Sequence, residues 1–127
     1  MNNNHSILFI EDTADTRDLI EFHLRQDGFQ VTTAQTADDG ITLARDNSFA
    51  LILLDIGLPD KDGLEVCRDI RRFDTETPII FYTAFADLLD HDEACRAGAQ
   101  GCLRKPEDTE RLASVLRAVI EKRHVDC

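Results

Sequence analysis

Five short apolar runs, each leading into or following a segment with helical spacing, constrain this chain more than any other feature. SILFI (6–10) precedes a helix predicted from Thr13 to Gln26, in which Leu19, Ile20, His23 and Leu24 recur at helical intervals and Gly28 supplies a stop. QVTTA (30–34) leads into Ala37 to Asp46, ALILLD (50–55) into Leu64 to Phe73, and PIIFYTA (78–84) into Asp87 to Ala97. GCLRK (101–105) is the last strand. The final helix shows Leu112, Val115, Leu116, Val119 and Ile120 at i, i+3, i+4, i+7 and i+8, behind a cap at Asp108 or Thr109. Strands alternating with helices predict an α/β fold, a doubly wound five-stranded parallel sheet covered on both faces, which explains the unbroken apolar runs. A flavodoxin-like order of 2-1-3-4-5 is assumed, with its site beyond the carboxyl ends of the first and third strands.

The length of 127 residues suits one domain, 1–127, with a core over about 6–122. A formal charge of -11 opposes a duplex-DNA surface, and no direct DNA binding is expected. No apolar stretch is long enough to span a bilayer, and the opening MNNNHS lacks the basic and apolar regions of a signal peptide. A cytoplasmic protein with no membrane contact is therefore expected. Cys67, Cys95, Cys102 and Cys127 are scattered without ligand-like spacing, which favours reduced thiols over a zinc site or a disulfide frame. His5, His23, His91 and His124 are equally dispersed and read as solvated or packing residues.

The residues that end the strands are the ones such a fold brings together. They are Glu11-Asp12, Asp55, Thr83-Ala84 and Lys105-Pro106. Taken singly, each has a plain structural reading: Asp55 as a turn residue, the acidic pair as a favourable helix start, Thr83 as a strand residue. Together, three carboxylates repel one another unless a cation or a raised pKa relieves them. Oxygen ligands in a partly open set fit magnesium. Lys105 offers a point charge and Thr83 a hydroxyl to a phosphoryl group, and an aspartate among them can act as a nucleophile that forms an acyl phosphate.

The pair ED after the first strand, LLDIGLPDKDG, TA after the fourth and KP after the fifth resemble the receiver domain of two-component response regulators, over essentially the whole chain. The resemblance implies that Asp55 is the phosphoacceptor, that Asp12 binds Mg2+ directly, that Glu11 acts mainly through water, and that the Gly57 carbonyl is a further ligand. Thr83 and Lys105 would contact the phosphoryl group, and Lys105-Pro106 would be cis. The implied donor is a phosphohistidine on a sensor histidine kinase or a histidine phosphotransfer protein, and the implied output is binding to a downstream protein target. Catalysis would extend only to the domain's own phosphorylation and dephosphorylation.

Two positions depart from the family pattern. Cys102 stands where an inward-turning Tyr or Phe is usual, and Glu107 follows Lys-Pro where Phe is usual. Signal transmission is then expected through the backbone after Thr83, with Phe85 or Tyr82 as the moving ring, and Cys102 as a packing residue. Gly57 and Phe85 occupy positions that resemble dials on dephosphorylation rate. Gln100-Gly101 replaces an acidic pair found in receivers that dimerise as winged-helix transcription factors, so a stand-alone monomer or weak dimer is expected, with a phosphorelay shuttle or phosphate sink as the alternative. A magnesium-dependent phosphohydrolase with an Asp55 nucleophile would need a general acid two residues on, where Gly57 stands. An FMN site fails because Glu11-Asp12-Thr13 presents anions where a phosphate would sit.

Overall fold

Apolar side chains on both faces of a strand require cover on both sides, and the sheet is built accordingly. The computed structural model describes residues 5–84 and 90–125, the last three of these without their side chains. Strands β1 (Ser6–Ile10), β2 (Gln30–Ala34), β3 (Leu51–Leu54), β4 (Ile79–Thr83) and β5 (Gly101–Arg104) form one parallel sheet in the order β2-β1-β3-β4-β5. Ile7 pairs with Val31 on one side and Leu51 on the other, Ile52 with Ile79, and Ile80 with Gly101. Every residue of β3 and β4 is buried, whereas the edge strands β2 and β5 alternate in exposure. The doubly wound sheet and the order expected from the sequence are both present.

Strand alternation divides the apolar residues into two cores. Leu8, Ile10, Ile52, Leu54, Ile79 and Phe81 point to one face, covered by α2 (Ala37–Asp46), α3 (Gly63–Arg71) and α4 (His91–Ala97). Ile7, Phe9, Leu51, Leu53, Ile80 and Tyr82 point to the other, covered by α1 (Ala14–Gln26) and α5 (Leu112–Val125). Burying each of the large side chains contributes about 1.5–3 kcal/mol, which offsets the chain entropy lost in ordering the strands. The α5 stripe behaves as its spacing predicts: Leu112 and Leu116 are buried, and Val115, Val119 and Ile120 pack against the same core.

Boundaries shift where side chains compete for the backbone. Thr13 precedes α1 rather than joining it, and Gly28 takes the positive φ of +94° that ends the following turn. Asp62 accepts from the Leu64 N–H at 2.8 Å, so α3 begins one residue early, at Gly63. Asp90 caps α4 by accepting from Asp92 and Glu93 N–H, and the expected start of that helix at Asp87 lies outside the described residues. The expected cap of α5 is corrected: Asp108 accepts instead from the Arg104 N–H at 2.8 Å, and a 3₁₀ turn over Thr109–Arg111 intervenes before α5 starts at Leu112. Cys67, Cys95 and Cys102 are free thiols. Among the described residues no helix is long and apolar enough to cross a membrane.

Candidate functional site

Parallel strands deliver their last residues to one edge, and the acidic ones come from the middle of the sheet. Glu11 and Asp12 follow β1 and Asp55 follows β3, the strand hydrogen-bonded to it; the Asp55 N–H still donates to the Ile10 carbonyl at 3.1 Å. One carboxylate oxygen from each of the three lies within 4.8 Å of the others. Glu11 is 1 % exposed and Asp55 6 %, while Asp12 faces solvent, so the cluster is closed below and open above.

The backbone around these acids is held by residues with no obvious signal in the sequence. The Arg17 guanidinium donates to the carbonyls of Glu11 (3.0 Å) and Asp12 (2.9 Å), fixing the turn that carries both. The Thr13 N–H donates to Glu11 Oε2 at 3.2 Å. After Asp55 the chain doubles back: the Gly57 N–H reaches Asp55 Oδ1 at 3.4 Å, Gly57 bridges Asp62, and the Gly63 N–H donates to the Ile56 carbonyl at 2.9 Å. A Cβ on Gly63 would lie 2.6 Å from the Asp55 carbonyl oxygen, so only glycine permits this return. Asp60 on the same loop accepts from the N–H groups of Ala37 (2.9 Å) and Asp38 (3.2 Å), which ties the loop to the start of α2.

The other half of the edge supplies a donor. Thr83 ends β4 and is wholly buried, and the Lys105 N–H donates to its carbonyl at 3.1 Å. From the cis Lys105-Pro106 turn the Lys105 ammonium crosses the edge to Glu11 Oε1, with Asp55 Oδ2 at 3.4 Å. Burial pushes the Glu11 carboxyl above its ordinary 4.5; the Lys105 hydrogen bond pulls it down and the Asp55 charge pushes it up again. Three carboxylates against one ammonium leave a formal excess of two negative charges in the pocket. A divalent cation answers that excess, and an all-oxygen donor set with a solvent-facing member suits a hard ion that keeps water. The acidic cluster thus fits a metal site.

Glu11, Asp12, Asp55 and Lys105 are brought together by these contacts, Gly57 lies against Asp55, and Thr83 joins through the Lys105 backbone. Cys102 is half-buried against the core under α2, α3 and α4, and Phe85 lies outside the described residues. Sequence reasoning missed the supports, Arg17, Asp60 and Gly63, and the pairing of Tyr82 with Thr109. Asp60 and Gly63 sit within the quoted LPDKDG loop, whose density of Asp and Gly was their only advance signal.

The fold and most of the sequence have counterparts among known proteins. The family model described as response regulator receiver domain matches residues 7–117. The transcriptional regulatory protein AfsQ1 of Streptomyces coelicolor is 40% identical over 117 residues, 92% of this chain and 52% of its own length, so the chain spans about half of that relative. A CheY-like receiver domain protein from Methanospirillum hungatei superposes with a TM-score of 0.90 at 25% identity, covering 96% of this chain and 98% of that one. The receiver domain of the sensor histidine kinase PA1611 from Pseudomonas aeruginosa, whose structure holds magnesium in its active site cleft, superposes with a TM-score of 0.84 at 31% identity, covering 92% and 98%. With the sheet order, the acidic cluster and the crossing lysine in agreement with a family match over most of its length, this chain belongs to the response regulator receiver domains of two-component systems.

Proposed function

We propose that Asp55 accepts a phosphoryl group from a phosphohistidine donor and that this switches the domain's binding to a downstream protein. One observation carries the reading: the Lys105 ammonium spans Glu11 and Asp55 at the point where three carboxylates converge. An Asp55 oxygen attacks phosphorus, the P–N bond of the phosphohistidine breaks, and the imidazole leaves with the electron pair. Glu11, Asp12, Asp55 and the Gly57 carbonyl would hold Mg2+, which when bound supplies positive charge to the phosphoryl oxygens. Lys105 exchanges a carboxylate partner for a phosphoryl oxygen, and the Thr83 hydroxyl donates to a second one. Magnesium in the cleft of the PA1611 receiver supports the choice of ion.

The donor class is a sensor histidine kinase or a histidine phosphotransfer protein, in the cytoplasm, with residues 1–127 acting as one receiver domain. Receiver domains are signalling modules, and the catalysis proposed is confined to Asp55 itself. The expectation of a stand-alone module with no direct DNA binding draws no support from AfsQ1, a transcriptional regulatory protein of which this chain spans about half. The charge of -11 opposes duplex DNA on these 127 residues alone.

Intact-mass measurement after incubation with acetyl phosphate tests the assignment. One magnesium-dependent phosphoryl addition is expected in the parent and none in Asp55→Asn. An addition that persists in the variant would place the acceptor elsewhere.

A further inference from the structure

On β4 the side chains alternate, so that Phe81 enters the core beneath α2, α3 and α4 while Tyr82 enters the core beneath α1 and α5. Tyr82 is 2 % exposed, and its ring lies tilted at 50° against Phe9, centroids 6.4 Å apart. Phenylalanine would fill such a place as well, without a hydroxyl to bury. The hydroxyl is bonded to Thr109 Oγ1 at 2.5 Å, which removes the penalty of burying it and fixes the ring's position. Above that ring, 5.5 Å from its centroid, sits the Lys105 ammonium. This is within the range in which a cation is attracted to an aromatic face.

The contacts form a closed circuit. Thr109 belongs to the turn that carries Lys105: its N–H donates to the Pro106 carbonyl at 3.1 Å, and the Asp108 N–H donates to that of Arg104 at 2.9 Å. Tyr82 directly precedes Thr83, whose carbonyl accepts from the Lys105 N–H at 3.1 Å. Ring, hydroxyl partner, turn and lysine therefore hold one another. Glu11 and Asp55 attract the ammonium from one side and the ring from another, and the ring occupies no N–H in doing so. An ammonium has three donors, and one kept in place without using them all can meet a phosphoryl oxygen.

We propose that Tyr82, anchored through its hydroxyl by Thr109, is a positioning residue for Lys105, and that this circuit ties the lysine to the turn at the start of α5. This deepens the reading of Lys105 as the group that meets the phosphoryl oxygen. It also gives Tyr82 a fixed place at a site where Cys102 offers no ring.

Two readouts test it. The chain has three lysines, Lys61, Lys105 and Lys122, and side-chain 13C labelling resolves their ε-methylene signals by NMR. Ring current should shift Lys105 away from the other two in the parent. Thr109→Val and Tyr82→Phe should each move that signal part of the way back, and Tyr82→Leu all the way. With saturating magnesium, phosphorylation of Asp55 by acetyl phosphate should slow about fivefold in Tyr82→Leu, the size expected for losing a partly buried cation–aromatic contact, and by a smaller factor in Thr109→Val or Tyr82→Phe, which keep the ring but release its anchor. The double variant should be no slower than either single one, because both break the same link. Magnesium affinity should stay at the parent value.

A Lys105 signal unmoved by Thr109→Val and Tyr82→Phe would overturn the role, as would a double variant slowed by the product of the single effects. A parent whose Lys105 signal behaves as expected, but whose Asp55 takes no phosphoryl group, would refute the proposed function and leave the positioning role standing.

Discussion

The two halves of the site's edge are built differently. Around Glu11, Asp12 and Asp55 the backbone is pinned by contacts that do not use the carboxylates of the cluster: Arg17 on two carbonyls, Gly63 against the Asp55 carbonyl, Asp60 on the start of α2. Around Thr83 and Lys105 main-chain hydrogen bonds hold the turn, but the ammonium and the Tyr82 ring are placed by side-chain contacts between separate elements, from Lys105 to Glu11 and Asp55 and from Tyr82 to Thr109. The acidic half is a fixed cradle. The basic half rests on interactions that a new anion could redirect, since an ammonium held by carboxylates would gain a stronger partner in the phosphoryl group proposed for Asp55. A pinned acidic cluster and a lysine held through its side chain thus sit on neighbouring strands of one sheet.

Glycine substitutions break this contrast most sharply. Gly63→Ala would put a Cβ 2.6 Å from both the Asp55 carbonyl oxygen and Ile56 Cα, backbone atoms that cannot turn aside. A loss of about 2–3 kcal/mol is expected by denaturant unfolding, together with a displaced Asp55 and slower phosphorylation. At the start of β5, on the basic side, the Cβ of Gly101→Ala would meet only Ile80 Cδ1, at 3.4 Å, an ordinary contact. That variant should unfold within about 0.5 kcal/mol of the parent. Equal losses in the two would show that the close approach at Gly63 does not set the acidic loop apart from the start of β5.

A smaller effect comes from Asp60. The N–H of Ala37 holds its carboxyl below the ordinary 3.8, with burial opposing and the Asp38 N–H assisting. A carboxyl depressed in the folded state contributes stability that is present above its unfolded pKa and is lost as pH falls through the folded one. Asp60→Asn should therefore be less stable than the parent near neutrality, by less than Gly63→Ala, and the gap should narrow as pH falls below about 4. A gap that stayed constant down to pH 2 in paired thermal melts would show that the charge on Asp60 does not hold the loop to α2.

Most of the fold was legible because it rests on periodicity. β1, β2 and α2 begin and end at the residues their patterns predict, and the strand order follows the usual rule for such sheets. Strand-terminal charges marked the acidic cluster: a carboxylate after an apolar strand calls for partners, and Asp55 lies among Glu11, Asp12 and Lys105. What escaped depends on contacts that exist only once the chain has folded. Tyr82 and Thr109 are 27 residues apart, and neither carries a local sign that they meet. Arg17 looks like any solvated helix residue until its guanidinium is seen on two carbonyls. Asp108 reads as a helix cap, yet the Arg104 N–H claims its carboxylate first, a competition set by the turn after β5.

Magnesium titration of two variants, Asp12→Ala and Lys105→Met, followed by exposure of each to acetyl phosphate, tests the division of labour most directly. Removing Asp12 takes away a carboxylate of the cradle, and magnesium binding should be lost with phosphorylation. Removing Lys105 takes away the cation that competes for Glu11 and Asp55, so magnesium should bind at least as tightly as in the parent while phosphorylation of Asp55 falls steeply. Loss of magnesium binding in Lys105→Met, or parent-level binding in Asp12→Ala, would contradict the account.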